Sequence, residues 1–151
     1  MNKTIYLAGA MSCYFNTDQH DYPKKWREDA KKYVKQLYED ITLVSPTDFY
    51  EIGKNYHHSE TEVMRFDLRM VREADIILCN LRDLHSSLGT NDEILYAFIS
   101  GKPVIGFIDD DSEVKNIHPW KIEQIDRIES GKSAMERAID YIYRYYVDRY
   151  N

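Results

Sequence analysis

Two acids stand where a carboxylate needs a reason. Glu93 closes the run Ser86-Ser87-Leu88-Gly89-Thr90-Asn91-Asp92-Glu93. This run lies between an apolar stretch that reads as a buried strand (residues 75–81) and an apolar helical pattern (residues 94–100). With Thr90 or Asn91 as the helix cap, Glu93 falls in the first turn, where the helix dipole favours negative charge. An ionised carboxylate held there, at the open end of a strand, can bind a positive centre or attack one. Gly89 permits a tight turn or a close backbone approach just before it. First-turn acids are also common, so spacing alone favours an ordinary helix start. Asp67 is the second acid. A helix over residues 60–74, opened by a capping box at Ser59-Glu60-Thr61-Glu62, carries an apolar stripe of Val63, Phe66, Met70, Val71 and Ala74. Asp67 lies on that stripe, between Val63 and Val71. Burying a carboxylate without partners is expensive, so Asp67 either works or sits at the stripe's edge, capping a loop or pairing with an arginine.

The elements around these acids alternate strand and helix. Residues 4–8 form a first strand that ends at Gly9, followed by a loop containing Ser12, Tyr14, Phe15 and Asn16. A helix over residues 23–39 places Trp26, Ala30, Tyr33, Val34 and Leu37 on one stripe and Lys, Arg and Glu on the other. Residues 41–44 form a second strand, residues 47–58 a polar and aromatic loop, and residues 75–79 a third strand. The helix that carries Glu93 ends at Gly101 in the C-terminal cap position. A fourth strand covers residues 104–108. Residues 113–120 read as irregular, residues 122–128 as a short fifth strand, and Ser133-Ala134-Met135-Glu136 as a capping box opening a last helix that runs to about Arg149. This order predicts a parallel five-stranded sheet with helices on both faces, in one domain covering residues 1–151. The ligand crevice of such a sheet lies at the carboxyl ends of its strands, where the winding reverses. The loops after the first strand (residues 9–16) and the third (residues 80–89) are its expected walls, and Tyr6, Asp67 and Glu93 can converge there.

Composition narrows the partners. The formal net charge is -6, without a basic block, so general affinity for a nucleic-acid backbone is not expected. Thirteen tyrosines are present; such rings suit flat heterocycles, and most of them pack cores and helix faces. Trp26, Tyr14 and Phe15 are candidates for stacking, with Trp26 also suited to packing its helix. Cys13 and Cys79 are far apart, and Cys79 falls in a buried strand, so no disulfide framework is expected. No apolar run reaches membrane-spanning length, and the chain enters a strand without a signal peptide. A cytoplasmic setting is expected. The five histidines lack a metal-site spacing, and His57-His58 are adjacent; neither metal nor cofactor is expected. No Walker motif is present, and Gly9 stands alone where a dinucleotide fingerprint needs more glycines.

These residues resemble the nucleoside 2-deoxyribosyltransferase family. The likeness runs from Ile5-Tyr6-Leu7-Ala8-Gly9 through Phe66-Asp67-Leu68 and Ala74-Asp75-Ile76-Ile77. It continues to Leu88-Gly89-Thr90 with Glu93, Ala97 and Gly101-Lys102-Pro103-Val104. The segment Ala8-Gly9-Ala10-Met11-Ser12 is also similar to the Ala-Gly-Pro-Met-Ser opening of a related uncharacterised group. The resemblance implies a flavodoxin-like three-layer sandwich and a homo-oligomer with active sites at subunit interfaces. It implies cleavage or exchange of the base at an N-glycosidic bond. Glu93 would be the nucleophile, forming a covalent glycosyl ester; Asp67 would move protons at the base; Tyr6 would orient Glu93. Gly9, Ser12, Ser87 and Gly89 would line the substrate, and Asn116 would be lent by a neighbouring subunit to the sugar's 5' end. Glu93 at a helix start should stay ionised while Asp67 on an apolar face holds a proton more readily. Where the transferases carry Asp, this chain has Ser87, which makes a 5'-phosphate tolerable, as in related nucleoside 5'-monophosphate hydrolases. Ser12 stands where those hydrolases use an arginine, and Asn116 suits a free 5'-hydroxyl. Nucleoside and monophosphate, and transfer and hydrolysis, therefore all stay open.

Two other readings use the same residues. A phosphoribohydrolase of the lysine-decarboxylase-like group also has a Gly-Thr-x-x-Glu segment, but with more glycines before it than Gly89. A nucleotide-sensing module would keep the crevice without the chemistry. A phosphoacceptor receiver domain shares the fold class but needs acids that residues 4–9 lack.

Overall fold

The computed structural model describes residues 2–51, 54 and 56–148. Five strands, β1 (Lys3–Gly9), β2 (Ile41–Val44), β3 (Ile76–Asn80), β4 (Val104–Ile108) and β5 (Arg127–Ser130), form one sheet in the order β2-β1-β3-β4-β5. Every pairing is parallel. The order reverses between β1 and β3, which is the flavodoxin-like arrangement, and the crevice of such a sheet opens there. Gly9 at the end of β1 lies opposite Asn80 at the end of β3.

Strand alternation divides the core. Ile5, Leu7, Ile76, Leu78, Ile105 and Phe107 point to one face, against α1 (Tyr22–Leu37) and α5 (Ala134–Ile142). Tyr6, Ala8, Ile77, Cys79, Val104 and Ile108 point to the other, against α2 (Glu60–Glu73) and α3 (Leu88–Ile99). Central strands are largely apolar because helices cover both faces. Tyr6 is thus the one polar side chain that β1 buries on the α2/α3 face.

Several sequence expectations are corrected. The buried stripe of α1 is Pro23, Trp26, Arg27, Ala30 and Val34; Arg27 sits on the inner face instead of with the surface charges, and Leu37 is exposed. Residues 113–120 are ordered: a 3-10 turn covers Asp111–Asn116, and α4 spans Pro119–Glu123. Pro119 opens that helix because a first-turn proline loses no hydrogen bond. The fifth strand consequently starts at Arg127. Ser133 does not cap α5; it adopts φ 60° with no side-chain hydrogen bond to the helix, following Gly131 at φ 91°. At α2 half of the capping box forms: Ser59 Oγ accepts from the Glu62 amide at 3.2 Å, while Glu62 itself accepts from the His58 amide. After α5 the chain continues as a π-helical turn, Tyr143–Val147; the expected end at Arg149 lies outside the described residues. Gly101 closes α3 at φ 72° as expected.

Candidate active site

The placement of Glu93 begins with Ser87. Ser87 Oγ accepts from the Thr90 amide at 3.3 Å and lies 2.6 Å from Thr90 Oγ1. Asn91 Nδ2 donates to the carbonyls of Leu84 and Ser87, both at 2.8 Å. Ser87, and neither Thr90 nor Asn91, is therefore the cap, and α3 starts earlier than spacing suggests. Gly89 lies inside the first turn with open space where a Cβ would go, so no tight turn is needed there. Glu93 moves to the second turn, beyond the reach of the helix terminus, whose effect fades after one turn.

What governs Glu93 instead is burial. It is 8% exposed, and its carboxyl accepts a hydrogen bond from the Tyr6 hydroxyl. Burial pushes its pKa up to about 8; the Tyr6 bond and the Arg27 charge oppose this, and the Asp67 charge adds to it. Burial likewise raises the Tyr6 phenol, with Glu93 adding to the effect. Asp67 sits half-buried on α2, and Tyr50 takes the place of the arginine partner weighed for it. The Tyr50 hydroxyl donates to both Asp67 oxygens, at 2.9 and 3.1 Å. Burial raises Asp67, while the Tyr50 bond and the charges of His57 and Arg27 pull it down. The expected order of proton affinity is thus reversed: in the free protein Glu93 is the stronger proton holder. A fully desolvated carboxylate loses more than a half-buried one keeps.

Asp67 and Glu93 line the same cleft, of about 970 Å³. Gly9, Ser12, Ser87 and Gly89 line it as well. Tyr6 lies beneath, with no exposed surface, and reaches the cleft through Glu93. Gly9 packs tightly: a Cβ there would stand 2.9 Å from Trp26 Cζ2 and 3.2 Å from Asn80 Cβ. Trp26 is consequently a core residue, set edge-on against Phe107. Tyr14 is also turned away; its hydroxyl donates to Asp83 at 2.6 Å. Phe15 does line the cleft. The wall after β1 is tied across the sheet ends by Asn80 Nδ2, which donates to the Tyr22 hydroxyl at 3.0 Å. The Arg82 guanidinium, 4.2 Å over the Tyr22 ring, secures the same wall.

Asn116 is not brought to this cleft within its own chain. It lies on the exposed turn before α4, where its Nδ2 donates to Glu113 at 2.8 Å. It borders a second cavity, of about 1560 Å³. Three residues at or near the cleft went unassigned in the sequence. Tyr50 and His57 line it and pack edge-on at 5.2 Å between ring centres; both come from a loop without periodicity. Arg27 had a signal, since it repeats the spacing of Pro23, Ala30 and Val34. Among the described residues no group of three His, Cys, Asp or Glu side chains could hold a metal ion, and no helix is long and apolar enough to cross a membrane.

The model of the family described as Nucleoside 2-deoxyribosyltransferase matches residues 5–138. No curated protein sequence matches the chain. Among solved structures, a conserved protein from Enterococcus faecalis V583 aligns with a TM-score of 0.68 at 18% identity, covering 93% of this chain and 99% of that one. The 2-deoxyribosyltransferase from Bacillus psychrosaccharolyticus aligns with a TM-score of 0.64 at 23% identity, covering 89% and 90%. That from Leishmania mexicana aligns with a TM-score of 0.60 at 22% identity, covering 95% and 99%. At these identities the likenesses show the fold.

Proposed function

We propose a reaction from the premise that this chain belongs to the nucleoside 2-deoxyribosyltransferase family: it cleaves or exchanges the base at the N-glycosidic bond of a (deoxy)nucleoside or its 5'-monophosphate. The observation that carries this reading is the tethering of Glu93 by Tyr6 in a cleft that Asp67 also lines.

In the first step an oxygen of ionised Glu93 bonds to the anomeric carbon as the carbon–nitrogen bond breaks. The bonding pair leaves with the base, and Asp67 gives its proton to a ring atom of that base. The transition state is oxocarbenium-like, and a fixed carboxylate beside the anomeric carbon stabilises it before closing on it. In the second step an acceptor base, or water, attacks the same carbon. Asp67 takes up the released proton and Glu93 leaves as carboxylate. The reactive form holds one proton on the pair, on Asp67; the free form holds it on Glu93. Substrate favours the shift, because a base over Asp67 desolvates it further and positive charge at the sugar favours an anionic Glu93.

Ser12, Ser87 and Gly89 would line the sugar, and Ser87 tolerates a 5'-phosphate. We place the chain in a homo-oligomer, with Leu88 and Ile99 on α3 and Trp120 on α4, which are 84%, 74% and 76% exposed, as the apolar side chains a neighbour would cover. In such an assembly Asn116 would serve a neighbour's cleft.

The test is incubation with deoxynucleosides, ribonucleosides and their monophosphates, with and without a free base, followed by mass spectrometry of a stalled sample. Base release or exchange and a sugar adduct on Glu93 are expected. Unchanged activity in Glu93→Ala would refute the assignment, and ligand binding without turnover would favour a sensing module.

A further inference from the structure

Arg27 is 2% exposed. Its Nη1 donates to the Pro23 carbonyl at 2.8 Å and its Nη2 to the Gly9 carbonyl at 3.1 Å. The guanidinium lies 4.6 Å over the Trp26 ring, and Nε is buried with no hydrogen-bond partner. None of the ion pairs among the described residues includes it. A buried guanidinium ordinarily has a carboxylate beside it, because desolvating the ion is costly. Two carbonyls repay part of this, yet a methionine would fill the same volume with no charge to desolvate. The net positive charge therefore needs a use elsewhere.

Its surroundings supply one. Gly9, whose carbonyl Arg27 holds, ends the strand that carries Tyr6, and Tyr6 holds Glu93. We infer that Arg27 is a positioning residue for the reaction: from behind the carboxyl end of β1, its unpaired guanidinium steadies the negative charge of Glu93 without touching the substrate. This rests on the glycosyl-transfer reading above. Other ionisable groups surround Glu93: Tyr6 on β1, Asp67 on α2, Tyr50 after β2, Cys79 on β3 and Asp92 on α3 itself, while Lys121 on α4 donates to the Asn91 carbonyl of the same helix at 2.9 Å. The acids among them oppose a charge on Glu93. Arg27 favours it, and also favours the ionised form of Asp67. A guanidinium suits this post because its planar fork reaches the Pro23 and Gly9 carbonyls at once while it carries the charge.

The direct readout needs no turnover: the pH titration of the Glu93 side-chain carboxyl by carbon NMR, its signal identified by its loss in Glu93→Gln. Arg27→Met and Arg27→Gln, both neutral, should move that titration up by about one pH unit. Arg27→Lys should leave most of it in place. With an active substrate, kcat should fall about tenfold in the neutral variants with KM nearly unchanged, because less of the bound enzyme then carries an ionised Glu93. If the titration moves but no substrate turns over, the proposed reaction fails while the electrostatic role at Glu93 stands. A folded neutral variant whose Glu93 titrates as in the wild type overturns the inference. So does a failure of both neutral variants to fold while Arg27→Lys folds, since Arg27 would then serve the fold.

Discussion

The cleft holds two acid–phenol pairs, and they differ in one respect. Tyr6–Glu93 lies under the cleft between a central strand and α3, with both side chains withdrawn from solvent. Tyr50–Asp67 forms one wall, with a phenol from a loop and a half-buried acid. The hydrogen bond is the same kind in each, and in each it favours the ionised acid. Yet Glu93 is pushed to about 8 and Asp67 moves up less, because desolvation outweighs one hydrogen bond. The lesson is that depth, more than the donor, sets which acid carries the proton before substrate arrives.

The strongest way to break this comparison is to remove the deep acid. Glu93→Gln should lower kcat by about 10⁴-fold or more, with no sugar adduct, since an amide cannot form the ester. Asp67→Asn should cost about 10²–10⁴-fold, the usual worth of a general acid. That loss should shrink for substrates whose base leaves readily without a proton; an equal loss on all substrates would remove Asp67 from the acid role.

The pH profile sharpens the contrast. With one proton needed on the pair, kcat/KM should be bell-shaped. Above about 8, the value for Glu93, the last proton leaves and activity should fall about tenfold per unit. The lower limb should lie above the ordinary aspartate range, because Asp67 is raised. A flat profile through pH 8 would contradict this order.

The phenols come next. Tyr6→Phe should lower kcat about tenfold, roughly the worth of a hydrogen bond to a charged group. It should also move the upper limb further up, since the bond that favours ionised Glu93 is gone. Tyr50→Phe should act on the lower limb, raising it; equal effects of both variants on both limbs would dissolve the distinction between the pairs. Stability gives the smallest signal. Glu93 binds its proton more tightly folded than unfolded, so its contribution is full below about 4.5 and lost as pH rises through about 8. Glu93→Gln should therefore be more stable than the wild type by about 1–3 kcal/mol at pH 9, with the gap closing at low pH in thermal unfolding.

Much of the frame was legible. Alternating strand and helix patterns gave the layers, and the stripe around Asp67, Tyr6 on β1 and the Gly89–Glu93 segment led to one cleft. Local chemistry was read less well. The helix-start argument for an ionised Glu93 depended on a cap at Thr90 or Asn91; the Ser87 cap adds residues before Glu93 and leaves burial in charge. Arg27 had the spacing of an inner residue, but its charge argued for the surface, and the Gly9 and Pro23 carbonyls that accept from it leave no mark in the spacing. Tyr50 and His57 come from a loop, where no periodicity links position to direction.

The helix α3 has twelve residues. It turns Glu93 toward the sheet and Leu88 and Ile99 outward. Any neighbour that packs on that outer stripe grips the rod that aims the proposed nucleophile. A substitution that reshapes an association contact there would also retune turnover, so quaternary form and reactivity could not evolve independently along this helix.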